Sequence, residues 1–310
     1  MIAFASNSLL CRAALKETSI DAASFTFIRI FSGAAALWLI LQTRRKLVAD
    51  RTASPLVERS EAVATFPSPQ SSPKGRGGPF SLREKIGMRA AANWISAFAL
   101  FAYAAAFSFA YNTLSAGTGA LLLFGAVQAT MILWGFHKGE RLRIIQILGL
   151  LVALTGLVLL VFPGLSAPPL IGSLLMLSAG VAWGVYSLRG KTAGDAITAT
   201  AGNFLRAVPF AALMSVVMIR QARFDSLGLV YALISGAITS GLGYVIWYAA
   251  LDGLNAASAA TVQLSVPVLA ATGGILLLSE PLTLRYLIAS IAVLGGIFLV
   301  VIEKRGKIAK

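Results

Sequence analysis

The sequence predicts an all-α integral membrane protein with ten transmembrane helices arranged as two inverted five-helix repeats. Three observations carry that prediction. Of the 310 residues 57% are hydrophobic and 12% charged, the apolar residues fall into ten continuous runs, and the two halves echo each other at fixed offsets. Soluble domains carry about 25% charged residues, and a mean hydropathy of +0.81 leaves too little polar surface to face water. One cysteine, Cys11, allows no intramolecular disulfide, and one histidine, His137, cannot build a His-based zinc site. No metal and no cofactor is expected.

The runs occupy residues 1–15, 22–42, 90–111, 114–136, 144–163, 168–188, 197–219, 227–251, 254–279 and 284–302. Nine are long enough to cross about 30 Å of hydrocarbon at 1.5 Å per residue, and the first is short. Being continuous and rich in Ala, Leu, Gly and Ile, they lack the alternation of a membrane β-strand. Turn chemistry separates them: Pro163-Gly164 and Pro168-Pro169 bracket one loop, Asp252-Gly253 marks another and Glu280-Pro281 a third. Loops this short make sequential helices antiparallel neighbours. The exception is residues 44–88, charged, Ser-rich and holding five of the eleven prolines, which reads as a disordered cytoplasmic insertion.

Leu114-Ser115-Ala116-Gly117-Thr118-Gly119-Ala120 aligns with Leu254-Asn255-Ala256-Ala257-Ser258-Ala259-Ala260 at an offset of 140, and Glu140 then falls on Glu280 and Gly156 on Gly296. Nearer the start, Arg12 falls on Arg189 and Arg29 on Arg206 at an offset of 177. The difference of 37 residues, 177 minus 140, matches the excess length of the 44–88 segment, which is therefore an insertion into one repeat. The same register carries Pro168 to a point ahead of Met1, so the first helix is expected to be truncated by a misplaced start. The repeats are 1–163 and 164–310. Five helices is an odd number, so the second repeat enters the membrane from the opposite side, an arrangement found in secondary transporters.

With a cytoplasmic N-terminus, 19 Lys and Arg lie inside and 5 outside, and the bias is still 9 to 5 when the ten of residues 44–89, the insertion and Arg89 just after it, are set aside. Both termini are thus expected in the cytoplasm of a cell inner membrane, and the net charge of +14 is mainly a topology signal. Contact with the lipid bilayer follows, and nucleic-acid binding does not.

The paired entries at Leu114–Ala120 and Leu254–Ala260, the acidic turns Gly139-Glu140 and Ser279-Glu280, and the Gly-containing final helix of each repeat resemble the EamA-type members of the drug/metabolite transporter superfamily. The Asn7 region and Trp183-Gly184 sit where that family opens its repeats. The resemblance implies a ten-helix fold and a central cavity lined by the third, fourth, eighth and ninth helices. The sequence departs from the family pattern at Val127, where the ninth helix has Pro267 and the family often has proline in both.

No Asp or Glu lies in the middle of a span, and no buried base accompanies the many Ser and Thr. No catalytic residue and no enzyme activity is expected. Glu140 and Glu280 suit a structural turn, each carboxylate accepting N–H bonds at the start of the next helix. Arg29 and Arg206 lie roughly eight residues into spans, about 12 Å deep, as structural clamps or as contacts for an anion. Asn93 and Tyr103 on the third helix, Gln128 on the fourth, Tyr244, Trp247 and Tyr248 on the eighth and Gln263 on the ninth are candidates for the substrate cavity, offering polar tips on apolar bodies. Gly149, Gly156, Gly295 and Gly296 permit close helix approach, within a monomer or across a homodimer seam. These readings converge on a secondary-type exporter of small organic metabolites, such as amino acids or related amphipathic solutes, working by alternating access. The alternative is a polytopic sensor or scaffold that uses the basic cytoplasmic loop.

Overall fold

The computed structural model describes residues 1–62, 93–137, 144–162, 167–190, 195–252, 262–263 and 265–305. Seven helices come first: α1 (Ile2–Glu17), α2 (Ala22–Ala62), α3 (Trp94–Tyr111), α4 (Ala116–His137), α5 (Ile144–Val161), α6 (Leu170–Gly190) and α7 (Ala196–Val217). After a 3-10 turn at Ile219–Gln221, the next span is built in three pieces: α8a (Ser226–Ile234), a π-helical stretch (Ser235–Leu242) and α8b (Gly243–Asp252). The chain continues with α9 (Ser265–Leu278) and α10 (Leu284–Arg305), and no strand occurs among the described residues. Among those residues seven helices are long and apolar enough to cross a membrane, counting α8a to α8b as one; the apolar parts of α9 and α10 are shorter, and α1 has 16 residues.

One expectation changes. The helix begun at Ala22 runs on to Ala62, so the first part of the 44–88 segment is helical rather than disordered. Arg, Lys, Leu, Ala and Glu in residues 44–62 are good helix formers, and charge does not oppose helix once the chain has left the apolar run. The rest of that segment lies outside the described residues.

Local chemistry fixes the helix starts. Asp21 Oδ1 accepts from Ala23 and Ser24 N–H at 3.0 and 2.9 Å to cap α2, Asp195 accepts from Thr198 N–H at 3.0 Å for α7, and Asp225 from Gly228 N–H at 2.9 Å for α8a. Asp21 also accepts from Arg223 N–H at 2.9 Å, joining the α1–α2 turn to the α7–α8a turn.

Neighbours along α5 and α10 show what the outside faces. Ile144, Leu148, Val158, Leu284 and Ile291 are exposed on these helices, a large continuous apolar surface that suits lipid rather than water. Between α5 and α10 the backbones nearly touch: a Cβ at Gly156 would stand 2.8 Å from Ala292 Cβ, and one at Gly296 would strike Gly149 O. Gly149, Gly156 and Gly296 are therefore consumed within the chain, whereas a Cβ at Gly295 would meet nothing within 4 Å.

The helix pairs come in exchanged sets. α3 packs on α6 as α8 packs on α1, α4 on α6 as α9 on α1, and α2 on α8 as α7 on α3, while α2–α7, α4–α9 and α5–α10 pair across the halves. One end of the bundle gathers Arg12, Thr113 and Glu280; the opposite end gathers Arg44, Asp195 and Arg189, with Arg44 Nη1 bonded to Asp195 at 2.8 Å. A core of buried side chains runs from one end to the other.

Candidate substrate site

The middle of the bundle holds a polar group wrapped in aromatic rings. Arg29 of α2 is at its centre, with only 1% of its surface exposed. Its Nε donates to Ser240 Oγ at 3.0 Å, and its Nη2 donates to the phenol oxygens of Tyr103 (3.2 Å) and Tyr244 (2.9 Å). The two phenols are themselves 3.2 Å apart. Asn7 of α1 donates to Tyr103 Oη at 3.3 Å and accepts from Ser235 (2.7 Å) and Thr239 (3.2 Å). The guanidinium carbon lies 4.9 Å from the Phe107 ring centre and 5.4 Å from that of Tyr103, so the charge also meets ring faces.

The π-helical stretch makes this geometry. Its i→i+5 bonding brings residues five apart to one side of the helix, so Ser235 and Ser240 can both turn inward with Thr239. Small residues let the backbone come close: a Cβ at Gly236 would collide with Ser32 Oγ and Arg29 O, and one at Gly33 would stand 2.5 Å from the Phe204 ring. The arginine's own carbonyl is thus pressed against the helix that supplies its serine.

Around the polar group the rings form a continuous layer. Trp183 lies 4.9 Å from Tyr103 and 4.6 Å from Tyr244, and Phe4 meets Trp183, Tyr244 and Trp247 edge-on at 5.7 to 5.8 Å. Tyr248 stacks on Tyr186 at 5.5 Å and donates to its carbonyl at 3.3 Å.

Of the residues expected to line a cavity, Tyr103, Tyr244 and Trp247 come together here, with Tyr248 in the adjoining stack. Gln128 and Gln263 are buried, at 2% and 1% exposure, but no contact places them in the Arg29 group. Asn93 is not brought to it: its side chain caps α3, accepting from Ser96 N–H at 2.8 Å. The two related arginines part company. Arg206 is half-buried and donates to the Gly202 carbonyl of its own helix at 3.0 Å, one turn back. Arg29 instead donates to hydroxyls of α3 and α8. Ser235, Thr239, Phe4 and Tyr186 were not among the expected cavity residues.

Glu280 corrects the expected turn. Its carboxylate does not cap the following helix; Oε2 accepts from Ala116 N–H at the start of α4 (2.8 Å) and Oε1 pairs with Arg12 Nε (3.1 Å). A left-handed residue, Ser279 with φ 49°, turns the chain so that Glu280 N–H reaches Gly274 O at 3.1 Å, and its side chain fills the space a Cβ at Gly274 would need. Arg12 further donates to Tyr111 O (2.8 Å) and Asn112 O (3.2 Å), and Lys16 to Leu278 O (2.7 Å). Beside this network a cavity of about 180 Å³ is lined by Thr113, Ser115, Thr118, Glu280, Thr283 and Tyr286 among others. Glu140 lies outside the described residues. Among the described residues no group of three or more His, Cys, Asp or Glu could hold a metal ion.

Residues 170–302 match the EamA-like transporter family. An uncharacterized transporter of Archaeoglobus fulgidus is 30% identical over 193 residues, spanning 61% of this chain and 68% of the relative. This chain belongs to the EamA-like transporter family. Within the drug/metabolite transporter superfamily, this EamA-like protein is also 52% identical to an uncharacterized protein of Pseudomonas aeruginosa over all 310 residues, which cover 94% of that relative. An uncharacterized transporter of Bacillus subtilis is 22% identical over 206 residues, 64% of this chain and 70% of its own. A solved crystal structure, 16% identical, overlaps 98% of both chains with a TM-score of 0.57, a likeness of fold. The EamA-like protein is accordingly a multi-pass membrane transporter, whose surroundings are lipid and whose ligand is a small molecule.

Proposed function

We propose that this EamA-like protein exports small organic metabolites, amino acids or related amphipathic solutes, across the cytoplasmic membrane by alternating access. The observation that carries the reading is the buried group of Asn7, Arg29, Tyr103, Ser240 and Tyr244, enclosed by Phe4, Phe107 and Trp183. Buried guanidinium, amide and hydroxyls at mid-bundle are costly in a purely structural core, and they suit a solute with an apolar body and a polar end. These residues come from α1, α2 and α3 of repeat 1–163 and from α6 and α8 of repeat 164–310.

Two inverted five-helix repeats are supported by the offsets of 140 and 177 in the sequence and by the exchanged helix contacts, in which each pairing has a counterpart with the halves swapped. Such halves can trade inward-open for outward-open shapes. The Lys and Arg distribution supports both termini in the cytoplasm, which makes the Arg12–Glu280 end the outer one and the Arg44–Asp195 end the inner one.

The test is flux. Purified protein reconstituted alone into liposomes should carry a metabolite pool outward, read by mass spectrometry, and Tyr244→Phe with Tyr103→Phe should reduce that flux without lowering insertion. Correctly inserted protein that moves no member of the pool would overturn the reading and favour a sensor or scaffold.

A further inference from the structure

Arg29 is a buried charge whose surroundings are neutral. Among the described residues the ion pairs are Arg12–Glu280 and Arg44–Asp195, both at the ends of the bundle, and the partners of Arg29 are three hydroxyls. A guanidinium carries five N–H donors. Three of those of Arg29 are used through Nε and Nη2, while Nη1 is fully buried and has no acceptor. Hydroxyls can orient their lone pairs toward a cation but cannot cancel its charge, and an unneutralised charge in a dry interior is costly.

Two further donors are left without an acceptor. Trp247 Nε1 is buried without an acceptor, and the indole reaches the arginine's shell through Phe4 and Tyr244. Gln128, one helical turn from Phe124, which also meets Phe4, keeps its amide N–H₂ without an acceptor. These are donors facing apolar rings. What would satisfy them is an acceptor-only group bearing negative charge on a body that packs against aromatic faces.

We propose that Arg29, with Tyr103, Tyr244 and Trp247, binds the carboxylate of an organic anion whose apolar part lies among Phe4, Phe107 and Trp183. The proposal rests on the transporter reading above and gives it a substrate class: monocarboxylates with an aromatic or bulky apolar body, and amino acids through their carboxylate. Planar guanidinium is the side chain best matched to a carboxylate, which can accept from it in a fork. Ligand charge then supplies the compensation that the resting site lacks, so binding stabilises the protein by linkage. Arg206, bonded to its own helix, takes no part.

The experiment uses the full chain in detergent at constant ionic strength, with matched probes that differ only in charge: phenylacetate against phenylacetamide, and indole-3-acetate against indole-3-acetamide. Each acid should raise the melting temperature more than its amide. Arg29→Gln should fold with a ligand-free melting temperature equal to or above that of the parent and lose the acid preference at least tenfold in apparent affinity. Arg29→Lys should retain part of it, and Arg206→Gln should retain all of it. Equal responses to acid and amide in the parent protein, or an acid preference that survives in Arg29→Gln, would overturn the assignment; the parent comparison decides even where a variant fails to fold. Flux in liposomes separates the two readings. Arg29-dependent binding of acids without transport leaves the site and removes the transporter function, whereas transport of amides or amines with no preference for acids leaves the function and removes the anion site.

Discussion

Arg12 of α1 and Glu280 beyond α9 stand 268 residues apart in sequence and 3.1 Å apart in space, and the same carboxylate holds the first turn of α4 through Ala116 N–H. One side chain thus ties three helices at the end of the bundle opposite Arg44. With Glu280 side chain 7% exposed and Arg12 14%, breaking the pair leaves a mostly buried charge unpartnered. Arg12→Gln or Glu280→Gln should each cost roughly 1–3 kcal/mol, below the ~3–5 of a wholly buried pair because Arg12 keeps some solvent contact. A double-mutant cycle by thermal melting checks this: the double variant should be more stable than the sum of the single losses, and strict additivity would show that the two do not act as a pair.

Glycines give the second prediction, because two within spans of the second half are opposite in setting. Gly236→Ala drives a methyl into Ser32 Oγ and the Arg29 carbonyl, so backbone must move and folded yield should fall by the ~1–3 kcal/mol typical of overpacking. Gly295→Ala projects into open space and should stay within about 0.5 kcal/mol of the parent. Size-exclusion recovery of the two variants after identical extraction separates these outcomes.

The third concerns Asp21. Burial acts to raise its carboxyl, but bonds from Ser24, from the Arg223 backbone and from the Ser24 and Ala23 backbone outweigh it, so it sits below the ordinary carboxylate range. A group whose folded pKa is depressed contributes stability that is present above its unfolded pKa, about 3.9, and lost as pH falls through the folded one. Asp21→Asn should therefore flatten the acid limb of the melting-temperature profile below about pH 4 while changing little at pH 7, where the amide oxygen still caps α2. An unchanged acid limb in the variant would rule out this linkage.

A fourth prediction follows from where the acids are. Among the described residues Glu280 is the buried carboxylate, and it is paired with Arg12 at a helix end, away from the Arg29 group. Arginine stays protonated at working pH. Transport should therefore not be driven by protonation of a carboxylate at mid-span, and the protein-dependent flux of an amino acid, which does not cross the bilayer unaided, should be independent of an imposed pH gradient. Accumulation that collapses with a protonophore would refute it, and Glu280→Gln would then be the first variant to assay.

The spans, the polar face on α3 and the inward set Tyr244–Trp247 were legible because each repeats at helical spacing within one apolar run. Tyr103 and Trp247 needed no partner to be recognised as amphipathic side chains in lipid. What joins them was not legible, since Asn7 meets Ser235 across 228 residues and Arg29 meets Ser240 across 211. Ser235, Thr239 and Ser240 were harder still: spaced four and then one apart, they share a side only where the helix widens to π bonding, and a pattern read at 3.6 residues per turn scatters them. Asn93 shows the reverse case, a polar residue on the correct face by spacing whose position at the helix start gives its amide to the backbone instead. Arg29 and Arg206, matched in sequence at an offset of 177, share residue type but not surroundings, because Tyr103, Tyr244 and Ser240 converge on the first and the Gly202 carbonyl meets the second.

Gly33, Gly236 and Gly241 bring the backbones of α2 and the π-helical stretch into direct contact, with a Cβ at Gly241 falling 3.2 Å from Gly236 O and 3.6 Å from Gly33 Cα. Surfaces in such contact have no side chains to slide over or refold, so this joint transmits displacement rather than absorbing it. In the alternating access proposed above, α2 and α8 would therefore travel as a single stave, carrying the guanidinium and its serine together.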